Sequence, residues 1–185
     1  MPYVSRAGEK LAYALREFTI SVRGFVCADF GSSTGGFVDC LLEHGAEKIY
    51  AVETGYGVLD WKLRNDKRVV VLERKNAMHI ELPEQVDLIT IDTSWTKIEK
   101  ILPNALKNLK PDGRIVALIK PHYEAEPNML RKGRVADDFM ADILEKVRNR
   151  VQKAGAEVIG EIESPLRGEK GKNKEYLFCV KNKLY

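Results

Sequence analysis

Short runs of β-branched and apolar residues alternate along this chain with segments of helical period, and that alternation restricts it to an open α/β sheet. Strands are expected at Phe25–Phe30, Lys48–Glu53, Val69–Glu73, Val86–Asp92, Arg114–Lys120, Glu157–Glu163 and Tyr176–Val180. The first five read as buried and lie at crossover spacing, so they should pair in parallel. The last two are joined by roughly a dozen residues without helical periodicity, which fits an antiparallel hairpin at one edge. The expected fold is a Rossmann-like, seven-stranded, mostly parallel sheet with an antiparallel edge strand and helices on both faces.

Between Asp137 and Lys153, the side chains Phe139, Met140, Ile143, Leu144, Val147 and Val151 form one stripe of helical period. Asp137 and Asp138 open this helix, Arg148, Arg150 and Lys153 lie towards its end, and Gly155 follows as its C-cap, in keeping with the helix dipole. Near the start, Ser5 is placed to cap a helix presenting Leu11, Leu15 and Phe18 to the core, with Lys10 at the border of that face. No repeat, linker or low-complexity tract interrupts the chain. A single domain over 1–185 is expected, with an N-terminal helix inside 1–20 and an α/β core over 25–185.

The 185 residues suffice for a sizeable core, and 44% apolar with 31% charged residues excludes a disordered chain. A net charge of +3 is too small to argue for a nucleic-acid partner by itself. Local clusters argue more: Arg131, Lys132 and Arg134 form one basic, Gly-containing stretch, and Arg167, Lys170, Lys172 and Lys174 another. Each would suit a phosphate backbone, although a basic run taken alone reads as a solvated surface. Cys27, Cys40 and Cys179 are widely spaced within apolar segments, which predicts buried reduced thiols and a cytoplasmic protein rather than a disulfide framework. His44, His79 and His122 show no metal-ligand spacing, the first residues contain no signal-peptide apolar region, and no uninterrupted apolar run exceeds five residues. Neither a metal nor a membrane partner is expected.

The strand ending at Asp29-Phe30 runs into Gly31-Ser32-Ser33-Thr34-Gly35-Gly36, after which Phe37, Leu41 and Leu42 mark a helix. Strand, Gly-rich turn and helix together make a ligand site at the carboxyl edge of a parallel sheet. The P-loop is excluded because Phe37 stands where its lysine must be, and the dinucleotide fingerprint because Ser33 takes the second glycine position. Asp29 would repel a pyrophosphate but suits an ammonium group. S-adenosylmethionine carries an ammonium and a carboxylate, and the latter can take backbone N–H groups at the helix start. Glu53 ends the second strand 22 residues after Gly31, the place for a carboxylate on ribose hydroxyls, and Asn76 follows the third strand within reach of an adenine edge. The alternative is a tight turn that only needs glycine's backbone freedom.

Asp92 ends the fourth expected strand and Lys120 the fifth, so both should face the same crevice as the Gly-rich turn. A charge ending an apolar strand calls for a partner, and the residues alone leave a structural Asp92–Lys120 pair open.

Five ordered motifs carry a resemblance: 5–11 (Ser-Arg-Ala-Gly-Glu-Lys-Leu), 33–37 (Ser-Thr-Gly-Gly-Phe), 61–64 (Trp-Lys-Leu-Arg), 120–124 (Lys-Pro-His-Tyr-Glu) and 173–176 (Asn-Lys-Glu-Tyr). Together they resemble the FtsJ-like ribosomal RNA methyltransferases, within them the branch labelled TlyA or hemolysin A, over nearly the whole chain. The resemblance implies a class I S-adenosylmethionine-dependent methyltransferase fold and transfer of a methyl group to an RNA ribose 2′-hydroxyl. It implies a Lys-Asp-Lys-Glu tetrad at Lys10, Asp92, Lys120 and Glu175, and cofactor contacts from the Gly35 segment, Phe37, Glu53 and Asp92.

There are departures from the family's pattern. Glu53 stands where the family usually has Asp, Ser94-Trp95-Thr96-Lys97-Ile98 stands in place of Ser-Phe-Ile-Ser-Leu, and His122-Tyr123 replace Gln-Phe. These bear on substrate positioning rather than on reaction type. Trp95, His122 and Tyr123 either pack or stack a splayed nucleotide. The TlyA branch also carries a small N-terminal RNA-binding domain, and this chain begins where that domain would end. Two other classes remain: a non-catalytic S-adenosylmethionine- and RNA-binding ribosome-assembly module, and a cytolysin, for which no membrane-spanning segment or strongly basic amphipathic helix speaks.

Overall fold

The computed structural model describes residues 2–168 and 173–183. Seven strands form one sheet: β1 (Val26–Phe30), β2 (Lys48–Glu53), β3 (Val69–Glu73), β4 (Val86–Ile91), β5 (Leu109–Ile119), β8 (Ala156–Glu163) and β9 (Tyr176–Asn182), in the order β3-β2-β1-β4-β5-β9-β8. The first five pair in parallel, while β9 runs antiparallel between β5 and β8. The antiparallel hairpin thus closes one edge as expected, with the reversed strand one place in from the margin. Strands β6 (Leu130–Arg131) and β7 (Arg134–Val135) make a separate small hairpin.

Helix α1 (Ala7–Glu17), α2 (Gly36–Glu43) and the short α3 (Trp61–Arg64) cover one face of the sheet; α4 (Ile98–Asn108) and α6 (Met140–Lys153) cover the other, and the short α5 (Pro121–Glu124) follows β5. Strand pleating sorts the side chains between two cores. Ile89, Ile91, Ile115, Ala117, Ile119, Phe178 and Val180 meet α4 and α6, whereas Leu88, Val116, Leu118 and Leu177 meet α1 and α2. The stripe predicted on α6 holds, since Ile143, Leu144, Val147 and Val151 are buried and Gly155 (φ +86°) follows the helix.

Local differences have physical causes. Strand β5 begins at Leu109, five residues early, although Pro111-Asp112-Gly113 reads as a turn; Val86 pairs Leu109 and the register then shifts across an irregularity. Asp137–Phe139 is a 3₁₀ turn ahead of α6. Ser5 does not cap α1: Arg6 holds the cap position without a side-chain bond, and Ser5 Oγ instead lies against Gly36, where any Cβ would collide with it. The first helix therefore packs its entry directly on the Gly-rich turn. Cys27, Cys40 and Cys179 are buried and unbridged. Among the described residues no helix is long and apolar enough to cross a membrane.

Candidate active site

Strand order reverses between β1 and β4, and the crevice outside their carboxyl ends is where an open α/β sheet binds ligands. A cavity of about 330 Å³ occupies that place, lined by Gly31, Ser33, Glu53, Lys75, Asn76 and Asp92 among others. Gly31 (φ +89°) turns the chain under it, with its N–H on the Val52 carbonyl at 2.9 Å. A Cβ at Gly31 would lie 2.6 Å from the Asp92 backbone oxygen, so only glycine lets the turn approach the end of β4.

Glu53 is locked beside the cavity: its carboxylate accepts from the Ser33 N–H at 2.9 Å, the Gly55 N–H at 2.8 Å and the Thr54 hydroxyl at 3.1 Å. Burial opposes its ionisation, but these bonds together outweigh burial and hold its pKa below the usual glutamate value. Asn76 lines the same cavity, and its side-chain oxygen accepts from the Met78 N–H at 2.9 Å, which fixes its orientation.

Of the other positions named for the cofactor, Asp29, Gly35, Gly36 and Phe37 are buried, whereas Thr34 is exposed. Asp29 is fully buried, accepts from the Thr90 hydroxyl at 2.6 Å and does not line the cavity; burial, with Asp92 and Glu53 nearby, pushes its pKa up to about 7 against the bond from Thr90. Phe37 packs in the core beneath α2. Gly35 (φ +103°) rests on Leu59 and Leu63, Gly36 rests on the α1 entry, and the Thr34 carbonyl accepts from the Asp60 N–H at 3.0 Å. These residues shape the turn from below.

Two cation–carboxylate pairs stand at the same sheet edge. Lys120 Nζ lies 2.6 Å from Asp92 Oδ1, and Lys10 Nζ 2.5 Å from Glu175 Oε2. The pleat explains the arrangement. Leu88, Leu118 and Leu177 face α1 and α2, so Asp92, Lys120 and Glu175, at even offsets along their strands, project to the face where α1 carries Lys10. Ile119 pairs with Tyr176 in the last rung between β5 and β9, so Lys120 and Glu175 are the next positions out and bring the two pairs side by side. Lys120 lines a crevice that shares Thr93 and Thr96 with the main cavity. Asp92 Oδ1 is buried and, despite its contact with Lys120, has no aligned hydrogen bond among the described residues.

Trp95 is 80% exposed, in a left-handed conformation (φ +58°), and lines the cavity mouth. Tyr123 lies between Trp95 and His122, at ring-centroid distances of 6.2 and 4.1 Å. Burial and the nearby Lys120 charge lower the pKa of His122. The two basic stretches meet: the Asn173 side-chain amide donates to the Gly133 carbonyl at 3.1 Å, joining the β6–β7 tip to the β8–β9 loop. Arg131, Lys132, Arg134 and Arg167 are exposed, and Lys174 is half-buried, 4.0 Å from Glu163. Lys170 and Lys172 lie outside the described residues.

Some functional-looking residues escaped the sequence reading. Glu124, the last residue of α5, accepts from the Ile98 N–H at 2.9 Å and from Arg150 at 2.7 Å. Asp39 accepts from the Val4 N–H at 2.9 Å and pairs with Lys62, tying the chain start to α2. Lys75 and Thr54 line the cavity. Only the Lys120-to-Glu124 motif hinted at the first of these.

Fold, switch-point cavity and carboxylate-rich lining define an S-adenosylmethionine-dependent methyltransferase fold. Solved structures agree: a methyltransferase of this class from Mesorhizobium loti superposes with a TM-score of 0.66 at 16% identity, covering 91% of this chain and 95% of that one. The profile of the FtsJ-like methyltransferase family matches residues 3–182, and the chain belongs to that family. Hemolysin A of Brachyspira hyodysenteriae is 45% identical over 184 residues, 95% of this chain and 75% of that protein. The 16S/23S rRNA (cytidine-2′-O)-methyltransferase TlyA of Mycobacterium tuberculosis is 40% identical over 185 residues, 97% of this chain and 68% of that protein. S-adenosylmethionine is the cofactor, and the cavity presents the chemistry it needs, a carboxylate at Glu53 for hydroxyls and a side-chain amide at Asn76 for a base edge.

Proposed function

We propose that this protein transfers a methyl group to a ribose 2′-hydroxyl of RNA, in a ribosomal RNA substrate. The observation that carries this reading is a pair of lysine–carboxylate contacts at the carboxyl edge of the sheet, Asp92–Lys120 and Lys10–Glu175, with Asp92 lining the switch-point cavity. The named activity of the M. tuberculosis relative, methylation of cytidine 2′-oxygens in rRNA, is the reason to choose ribose and ribosomal RNA.

The cofactor supplies an electrophilic sulfonium methyl, so the protein must hold the 2′-oxygen in line and take up its proton. In this reading Lys120 binds the hydroxyl and accepts the proton as the carbon–oxygen bond forms and the sulfur–carbon bond breaks. Asp92 fixes the direction of the Lys120 ammonium. Lys10, held by Glu175, places a second cation beside the pair. The exposed cations at 131–134 and 167, with Lys174, take the RNA backbone at the mouth of the site. Trp95 and Tyr123 offer stacking surface beside it.

Labelled methyl transfer to unmodified ribosomal subunits, compared between wild type and Lys120→Ala, tests this reading. General-base help is worth about 10²–10⁴-fold, so the variant should lose detectable transfer and keep its cofactor affinity. Normal transfer by Lys120→Ala rejects the role of Lys120. Cofactor and RNA binding without any transfer by the wild type would favour the assembly-module reading.

A further inference from the structure

We infer that Glu124 is a positioning residue: its buried carboxylate fixes the loop carrying Asp92 against the turn carrying Lys120, and so sets the spacing of that pair. The inference rests on the proposed role of Lys120, and goes beyond it.

The residues on either side of the Asp92–Lys120 contact leave their strands in different directions. After Asp92 the chain runs through 93–97 into α4; after Lys120 it turns at once into α5. No backbone ladder joins them there, because the last parallel rung between β4 and β5 is Ile91–Ala117. Something else must hold the two loops together, and Glu124 touches both.

Glu124 Oε1 accepts from the N–H of Ile98, the first residue of α4, at 2.9 Å. That N–H is one of the donors a helix start leaves unpaired, and the Lys97 side chain does not cap it. Glu124 Oε2 accepts from Arg150 of α6 at 2.7 Å, and Arg150 reaches Glu99 of α4 at 2.9 Å. Lys97 closes the set with Glu126 at 3.6 Å. One carboxylate therefore joins the α4 start, six residues after Asp92, to α5, four residues after Lys120, and braces both against α6.

The location argues for function as well as for fold. Glu124 is buried on the α4–α6 side of the sheet, behind the ion pair. A buried carboxylate is costly to hold, and an apolar side chain would pack α5 on α6 at less expense. What only a two-oxygen acceptor can do is bind a backbone N–H at the start of α4 and a guanidinium on α6 at once.

The test compares Glu124→Gln and Glu124→Ala with wild type, reading melting temperature, cofactor affinity, and methyl transfer against pH. The amide in Glu124→Gln keeps an acceptor for Ile98 but loses the charge that holds Arg150. If the carboxylate positions the pair, both folded variants should keep cofactor affinity within about twofold. Their kcat should fall about 10–100-fold, more in the alanine variant. The pH–rate profile of both variants should differ in shape from that of wild type, because the loosened loops change the contacts among the charged groups at the site. Arg150→Lys, which keeps the charge, should restore more activity than Arg150→Met.

A variant that is folded and shows wild-type kcat with an unchanged pH–rate profile overturns the inference. So does a uniform rate loss at every pH that tracks only the folded fraction, and so does a Glu124→Gln protein that melts below the assay temperature, which makes the carboxylate a requirement of the fold alone. Absence of transfer by the wild type counts against the proposed function instead.

Discussion

Strands β4 and β5 carry an aspartate and a lysine at each end, and the two ends behave differently. At the amino end Asp87 and Lys110 meet at 2.7 Å beside a cavity of about 490 Å³; at the carboxyl end Asp92 and Lys120 meet at 2.6 Å beside one of about 330 Å³. The distances are nearly equal, and cavity size alone would favour the amino end. Surroundings reverse that choice. Lys110 is 44% exposed and Asp87 also accepts from the Val26 N–H, so that pair is a solvated tie between strands. Lys120 is 14% exposed, Asp92 Oδ1 lacks an aligned bond among the described residues, and a second pair with side chains only 11% and 4% exposed stands next to it. A charge pair signals chemistry when it is desolvated and only partly satisfied next to a ligand cavity.

The sharpest way to break this comparison is to remove one partner at each end. Glu175→Gln leaves Lys10 buried without its counter-charge and should cost about 3–5 kcal/mol of unfolding free energy. Lys110→Ala should cost less than about 1 kcal/mol, as exposed pairs do. Chemical denaturation of both variants checks the contrast, and equal losses would erase it.

Next in size is a pH effect confined to the carboxyl end. Burial raises the Asp29 pKa from 3.8 to about 7. Between those values the native state keeps a proton that the unfolded chain has released, so stability should fall as pH rises from about 4 to about 7 and level off above. Three units at about 1.4 kcal/mol each bound the effect at about 4 kcal/mol. Asp29→Asn should flatten the slope in melts across that range, and a slope unchanged by the substitution would place its source elsewhere.

Smaller effects separate glycines that look alike in sequence. Gly31→Ala forces both a left-handed backbone and a clash with the Asp92 oxygen, and should exceed the roughly 1 kcal/mol expected of Gly57→Ala, whose surroundings are open. Cofactor affinity should fall only for the first. Least in stability but readable in binding, charge reversal at Arg131 and Arg134 should lower the salt dependence of RNA binding by about one unit of slope for each phosphate no longer neutralised, while leaving cofactor affinity alone.

Much of this was legible in the sequence because it depends on period and order. The strand register follows from alternating apolar residues, and with it the shared face of Asp92, Lys120 and Glu175. The α6 stripe and its Gly155 stop read off directly. What escaped depends on contacts between distant segments. Ser5 looked like a cap but packs on Gly36; the fifth strand was expected to begin at Arg114 but is drawn out to Leu109 by pairing at Val86; Pro103 sits inside α4, where local propensity argues against a helix. Asp29 read as a cofactor residue from its place at the end of its strand and Phe37 from the family resemblance; both side chains are buried and neither lines the cavity. Glu124 closes the 120–124 motif, but its role was not legible, since its partners lie 26 residues away on either side.

The central claim is that the carboxyl-end site methylates ribose oxygens, and alkaline digestion of ribosomal RNA labelled by the protein tests it most directly. Methylation of a 2′-oxygen blocks cleavage at the next phosphate, so the label should be recovered in alkali-resistant dinucleotides. Label recovered only in mononucleotides would place the methyl group on a base and contradict the account.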